Sequence, residues 1–185
     1  MKRILVIGGT GMLRLVTEYF ISNNFHVSVV ARDIEKLKYF TNKYPFIKTI
    51  DLISHDYSDA DNFIKTIENK IDEHGSFDII IGWIHSHAVH SLTRLINVLE
   101  KYNNQTILYH IKGSEYYDPT KRGYFQKINI NHKLDYREIF LGFKIENNCS
   151  RWLTDTEISN GVINAVESGI KKAIVGNIEP WELRP

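Results

Sequence analysis

The sequence predicts a doubly wound α/β fold, with a mainly parallel sheet covered by helices on both faces. Three observations carry this. A continuous apolar run, residues 4–7, ends in glycines, as expected of a strand buried on both faces. The glycine turn opens directly into a helical pattern in which Met12, Leu15, Val16, Tyr19 and Phe20 are spaced to lay one face on a sheet. Strand-like and helix-like segments then alternate to residue 111, five strands with four helices, the pattern of parallel βαβ units.

The first helix is predicted over residues 12–23, and a strand resumes over 26–31. A helix over 34–43, a strand over 47–53 and a helix over 59–73 follow, the last opened by Ser58 as its N-cap. The fourth strand spans 77–84, a helix covers 88–102, and the fifth strand spans 106–111. Beyond Gly113 the rhythm changes, and Tyr116-Tyr117-Asp118-Pro119 reads as a turn. Residues 136–143 alternate as a strand, and a tight Glu146-Asn147-Asn148 connection leads into residues 149–152 as a hairpin or a crossover. Thr154 and Glu157 have capping-box spacing, which predicts a helix running to about residue 168. A short strand over 173–175 precedes a proline-containing tail.

At 185 residues and 43% hydrophobic composition, the chain suits one domain over residues 1–185. Residues 1–115 form its core, and residues 116–185 complete the sheet with a strand, a helix and a tail. No repeat or Gly/Ser/Pro-rich linker divides it. The formal net charge is +1, from 23 basic and 22 acidic residues, so no global field draws the protein to nucleic acid or to an anionic membrane. No apolar run reaches the roughly 18 residues that span a bilayer. Cys149 is the single cysteine, and no leader pattern precedes the first strand, so a reducing cytoplasm is the expected compartment.

Gly8, Gly9, Thr10 and Gly11 stand where a dinucleotide-binding turn needs them, after a strand and before a helix. Glycines let main-chain amides approach a diphosphate, and the helix N-terminus adds partial positive charge. Met12 and Leu13 continue the same cradle. Here the chain resembles the short-chain dehydrogenase/reductase superfamily, and in particular its atypical NmrA-like branch, whose turn reads glycine-x-x-glycine-x-x-glycine. Gly8 and Gly11 match the first two glycines, and the resemblance covers the layout of residues 1–115. The whole chain, down to Val175-Gly176-Asn177-Ile178-Glu179-Pro180-Trp181, is similar to small bacterial short-chain dehydrogenase-like proteins. The resemblance implies a Rossmann-type sheet and a nicotinamide dinucleotide. Arg14 departs from the pattern, standing where the third glycine belongs. It either displaces the helix, contacts a phosphate or an anionic substrate from inside the cleft, or faces solvent.

NAD-binding relatives place an acid at the end of the second strand, whereas here the strand ends in Ala31-Arg32-Asp33. Arg32 suits a 2′-phosphate, so the resemblance implies NADP(H) over NAD(H). Asp33 either opposes that preference or caps the next helix. Asp56, in His55-Asp56-Tyr57, resembles the position where an aspartate accepts from the adenine amino group, and is otherwise a loop acid.

Active relatives use a tyrosine and a lysine four residues apart on one helix, with a serine on the preceding strand. Tyr117 and Lys121 have that spacing, but Pro119 between them opposes a shared helical face. His85 and His87 follow the fourth strand, with His90 beyond and His110 in the fifth strand. Ligands of open parallel sheets sit past the carboxyl ends of the strands, so His85 and His87 are candidates for proton transfer and Ser114 for hydrogen-bonding a substrate. A metal site built on these histidines is not expected, since only one spacing brings two of them together. Trp83 reads as core or as a pocket wall, Cys149 as a buried inert thiol, and Arg151-Trp152 as a strand with Trp152 inward or as a substrate-side surface.

The resulting expectation is an NADP(H)-binding oxidoreductase acting on a small carbonyl or hydroxyl compound. The alternative is a non-catalytic, NmrA-like sensor of the dinucleotide, and a third possibility is a scaffold that binds no dinucleotide. The expected partners are the dinucleotide and a small molecule, with homo-oligomerisation implied by the family likeness.

Overall fold

A computed structural model describes residues 1–102, 105–121, 128, 130, 134–147 and 149–185. Seven parallel strands form one sheet in the order β3-β2-β1-β4-β5-β6-β9. These are β1 (Arg3–Ile7), β2 (His26–Ala31), β3 (Ile50–Ser54), β4 (Ile79–Trp83), β5 (Ile107–Lys112), β6 (Asp135–Leu141) and β9 (Lys172–Val175). The chain winds from β1 outward through β2 to β3, then returns to the other side of β1 as β4. That reversal leaves a crevice at the carboxyl ends of β1 and β4, the place where open α/β sheets hold ligands.

Alternation along each strand divides the core into two. Ile4 and Val6 of β1 face one layer, with Val16 and Phe20 of α1 (Arg14–Ser22), Leu37 and Phe40 of α2 (Ile34–Lys43), and Val162 of α5 (Asp155–Ser168). Leu5 and Ile7 face the other, with Phe63 and Ile67 of α3 (Ala60–His74) and Leu92 and Leu95 of α4 (Val89–Lys101). Full burial of one such side chain stabilises the fold by about 1.5–3 kcal/mol. The predicted doubly wound, mainly parallel sheet with helices on both faces is therefore the observed architecture.

Several local expectations hold in modified form. Helix α1 begins at Arg14 rather than Met12, because residues 8–13 are spent in consecutive turns and Leu13 is the N-cap. Helix α3 is capped by Asp59 rather than Ser58; the Asp59 carboxylate accepts from the Asn62 N–H at 3.4 Å. At α5 the capping box is present: Thr154 Oγ1 accepts from the Glu157 N–H at 3.3 Å, and Glu157 Oε2 accepts from the Thr154 N–H at 2.9 Å.

The alternating segment after residue 135 ends as β6 at Leu141. A separate antiparallel hairpin follows, β7 (Phe143–Glu146) with β8 (Cys149–Trp152). Asn147 of its predicted connection is in a left-handed conformation, and Asn148 lies outside the described residues. The tail after β9 turns back on the body. Asn177 and Phe143 exchange main-chain hydrogen bonds of 2.7 and 2.8 Å, which aims the last residues toward the carboxyl end of β5. No helix among the described residues is long and apolar enough to cross a membrane.

Candidate functional site

The turn after β1 has three glycines with three different duties. Gly8 takes φ +82°, a left-handed conformation that a side chain disfavours, and its N–H donates to Val30 O at 2.9 Å, tying the turn to β2. Gly9 is a packing residue: a Cβ there would lie 2.6 Å from Thr17 Oγ1 and 2.8 Å from Val29 Cγ1. Thr17 replies by donating its hydroxyl to Gly9 O at 3.0 Å. Gly11 is exposed, and a Cβ added there would meet nothing within 4 Å. Thr10 and Met12 are half-buried, and Leu13 is fully buried in the α1 layer. No side chain caps the α1 N-terminus. An uncapped helix start facing open space at Gly11 suits a diphosphate, whose oxygens would take the place of a capping side chain.

Arg14 is the first residue of α1, and its guanidinium runs along the outside of the helix. Nη1 donates to Glu18 Oε1 at 3.2 Å and to Tyr39 Oη at 3.0 Å, and the group lies 5.3 Å from the Tyr39 ring centroid. Glu18 also binds Lys43 and accepts from the Tyr39 hydroxyl. Lys43, Tyr39 and Arg14 together outweigh the desolvation of Glu18 and hold its carboxyl below the usual range. The arginine thus bridges α1 to α2. The close helix-to-strand approach that a third glycine usually permits is made instead at Gly9 and Thr17.

Arg32 and Asp56 come together past the carboxyl ends of β2 and β3, their charged ends 3.8 Å apart. The Arg32 side chain is 76% exposed. Asp33 settles as a helix cap, its Oδ1 accepting from the Glu35 and Lys36 N–H groups at 3.0 and 3.3 Å. Its carboxylate is therefore committed to α2, and Arg32 is left as the basic group of that corner. Asp56 caps its own loop by accepting from the Ser58 N–H at 2.8 Å.

At the end of β4, Trp83 meets His85 edge-on, and His85 stacks on His87. The Trp83 Nε1–H donates to His85 Nε2 at 3.1 Å, and the His85 and His87 rings lie 5.4 Å apart, 14° from parallel. Since an indole only donates, His85 Nε2 must be the unprotonated nitrogen, which assigns the ring proton to Nδ1. Burial, then the neighbouring His87 and Arg32, lower the His85 pKa and favour this neutral form. Tyr57, which the sequence did not single out, lies beside the His85 main chain, and burial raises its pKa. His90 is exposed on α4. Among the described residues, no three His, Cys, Asp or Glu side chains are grouped to hold a metal ion.

Ser114 follows β5 at 3% exposure, and its hydroxyl accepts from Arg184 Nε at 2.8 Å. Arg184, at the far end of the chain, also lies over the Trp152 and Trp181 rings, 4.8 and 5.0 Å from their centroids. This long-range strap had no local signal. Tyr117 and Lys121 fall in two separate 3-10 turns, Ser114–Tyr117 and Pro119–Lys121, and Lys121 pairs with Asp118 at 3.8 Å.

His110 is buried in β5, with Nδ1 2.6 Å from the Tyr136 hydroxyl. Burial, reinforced by Lys112, pushes its pKa down to about 3, so it is neutral near pH 7. Lys112 is itself 9% exposed and paired with Glu138. One expectation from the hairpin is corrected, since Cys149 is exposed rather than buried, and of the two readings of Trp152 the inward one does not hold, the side chain being 47% exposed. The hairpin lies off the main sheet, so its outer side chains have no opposing layer. Arg151 binds Glu146 and Glu157.

The sequence matches no protein-family model and no curated protein. The fold is shared with solved structures. A short-chain dehydrogenase/reductase, glucose/ribitol dehydrogenase, from Brucella melitensis superposes with a TM-score of 0.68 at 14% identity, over 94% of each chain. A betaketoacyl-ACP reductase (FabG) from Bacteroides thetaiotaomicron gives 0.67 at 9% identity, over 95% of this chain and 97% of that one. A metagenomic short-chain oxidoreductase in complex with NADP gives 0.64 at 13% identity, over 95% and 96%. The likeness establishes a Rossmann-like α/β fold for nearly the whole chain.

Proposed function

We propose that this protein binds a nicotinamide dinucleotide and acts as a short-chain dehydrogenase-like oxidoreductase on a small carbonyl or hydroxyl compound. The observation that carries the reading is the glycine turn at the β1/β4 crevice. There an α1 N-terminus without a side-chain cap adjoins the open space at Gly11. A solved neighbour of the same fold is in complex with NADP.

Gly8, Gly9, Thr10, Gly11, Met12 and Leu13 would hold the diphosphate through main-chain amides. Arg32 would meet a 2′-phosphate, which favours NADP(H) over NAD(H), and Asp56 beside it would accept from the adenine amino group. When bound, the nicotinamide supplies or accepts hydride. His85 would offer Nδ1–H to the substrate oxygen, His87 would move the proton at that oxygen, and Ser114 would orient it once Arg184 releases the hydroxyl. A homo-oligomer in a reducing cytoplasm completes the proposal.

Calorimetry with NADPH, NADP⁺ and NADH tests binding, and turnover across a panel of carbonyl compounds tests chemistry. Binding in the crevice with NADPH tightest is expected. Absence of binding by all three would overturn the proposal.

Two observations favour a second reading, an NmrA-like sensor that binds the dinucleotide without turning it over. Tyr117 and Lys121 do not share a helix, and the Ser114 hydroxyl is occupied by Arg184. Tight NADPH binding with no turnover, and a partner retained in only one redox state, would decide for it.

A further inference from the structure

A cavity of about 570 Å³ opens beside Tyr117, past the carboxyl end of β5, and the tail after β9 forms its opposite wall. That volume is within the roughly 300–1,000 Å³ of small-molecule sites. Its chemistry is one-sided. Tyr117 and Trp181 supply aromatic rings, Pro119 and Pro180 supply apolar walls, and Glu179 and Glu182 supply two carboxylates, with no basic side chain among the described residues of the lining. Among the described residues, Glu179 and Glu182 make no hydrogen bond or ion pair. The neighbouring Asp118, by contrast, is bonded to Thr120 and paired with Lys121.

Both rings are placed where cations approach them. Lys172 Nζ lies 5.4 Å from the Tyr117 centroid, and Arg184 Cζ lies 5.0 Å from that of Trp181. Neither cation lines the cavity: Lys172 also rests over Phe140, and Arg184 is held by Ser114. Electron-rich ring faces, together with carboxylates that have no partner among the described residues, attract an organic cation and repel an anion.

We propose that this cavity is the substrate pocket and that it selects a compound carrying a cationic amine. The proposal rests on the oxidoreductase reading, which puts the reacting carbon near the ends of β4 and β5. The amine group would sit between Glu179 and Glu182 against the Trp181 and Tyr117 rings. The rest of the molecule would extend toward Ser114.

The test is calorimetric titration of the full chain, with and without saturating NADPH, using phenylethylamine, the neutral phenylethyl alcohol and the anionic phenylacetate at pH 7. The amine is expected to bind about tenfold or more tightly than the other two, equivalent to about 1.4 kcal/mol. The double variant Glu179→Gln, Glu182→Gln should lose that preference and leave alcohol binding unchanged. Both carboxylates are exposed, so the variant keeps the fold, which an unchanged melting temperature verifies. Equal affinity for amine and alcohol, a preference for phenylacetate, or an amine preference that survives in the double variant would each overturn the proposal. NADPH binding without amine preference would overturn the pocket assignment alone. Amine preference without NADPH binding would overturn its role as a substrate site, together with the oxidoreductase reading.

Discussion

Replacing Gly9 and Gly11 by alanine, one at a time, separates packing from ligand recognition within a single turn. The Gly9 backbone lies outside the left-handed region, so alanine adds no dihedral strain, and the cost is crowding alone. Its methyl would lie 2.6 Å from Thr17 Oγ1, 2.8 Å from Val29 Cγ1 and 3.0 Å from Val6 Cγ1. Thr17, Val29 and Val6 are each at 0% exposure, so none has room to retreat. Overpacking of this kind costs about 1–3 kcal/mol. Displacing the Thr17 hydroxyl from Gly9 O adds about 0.5–1.5 kcal/mol for the lost hydrogen bond. For a domain of this size the sum corresponds to a melting point lowered by on the order of 5–10 °C.

Gly11→Ala meets nothing within 4 Å and also lies outside the left-handed region. Its melting point should hold or rise, since alanine restricts the unfolded chain by about 0.4–1 kcal/mol. The same methyl enters the space where a diphosphate would meet main-chain amides, so NADPH affinity should fall by about tenfold or more. Scanning calorimetry and NADPH titration read the two effects separately. A Gly9→Ala protein melting within about 1 °C of the parent would refute the packing account. A Gly11→Ala protein with unaltered NADPH affinity would refute the diphosphate account.

Arg32→Ala should weaken NADPH by about 10- to 100-fold, the worth of a charge-assisted hydrogen bond, and leave NADH affinity where it is; equal losses for both would remove the 2′-phosphate assignment. Arg14→Ala should change NADPH affinity by less than about twofold and stability by less than about 1 kcal/mol, because the guanidinium serves an exposed bridge to Glu18 and Tyr39. A tenfold loss of affinity there would mean that the side chain swings into the crevice.

His110 predicts an acid-sensitive fold. Its folded pKa of about 3 is below its unfolded value of 6.5, so its contribution is complete above pH 6.5 and is lost as pH falls toward 3. Between those values the unfolded chain takes up a proton that the native state refuses. Stability should therefore drop by about 2 kcal/mol from pH 7 to pH 5. His26, also lowered by burial, acts in the same direction, so the contrast with His110→Asn isolates one residue. Urea unfolding at both pH values should show a smaller drop in that variant, and identical drops would contradict the assignment.

Legibility in the sequence followed the range of the interactions. The apolar runs of β1, β2 and β4 and the spacing of α3 and α4 are local patterns, and they are where the periodicity placed them. Thr154 with Glu157 is a three-residue relation, and the capping box is present. The start of α1 was misplaced because Met12 and Leu13 fit the helical spacing yet are consumed by the turn. Cys149 was read as buried and Trp152 was left open between an inward and a surface position, because alternation within a strand does not reveal whether a second layer faces it. The Ser114–Arg184 bond joins residues 70 positions apart, and no window along the chain contains both.

The sequence alone determined the alternation of strands and helices through β5, the glycine turn and the apolar runs of strands buried on both faces, because period and turn chemistry act over a few residues. Tertiary structure decided the rest. Only packing could turn Arg14 outward to Glu18 and Tyr39, commit Asp33 to a helix end, stack His85 on His87 and bring the tail against β5 to wall a cavity. Each of these outcomes depends on what lies across a gap between distant segments. Side-chain direction there is set by space and partners rather than by neighbours in the chain.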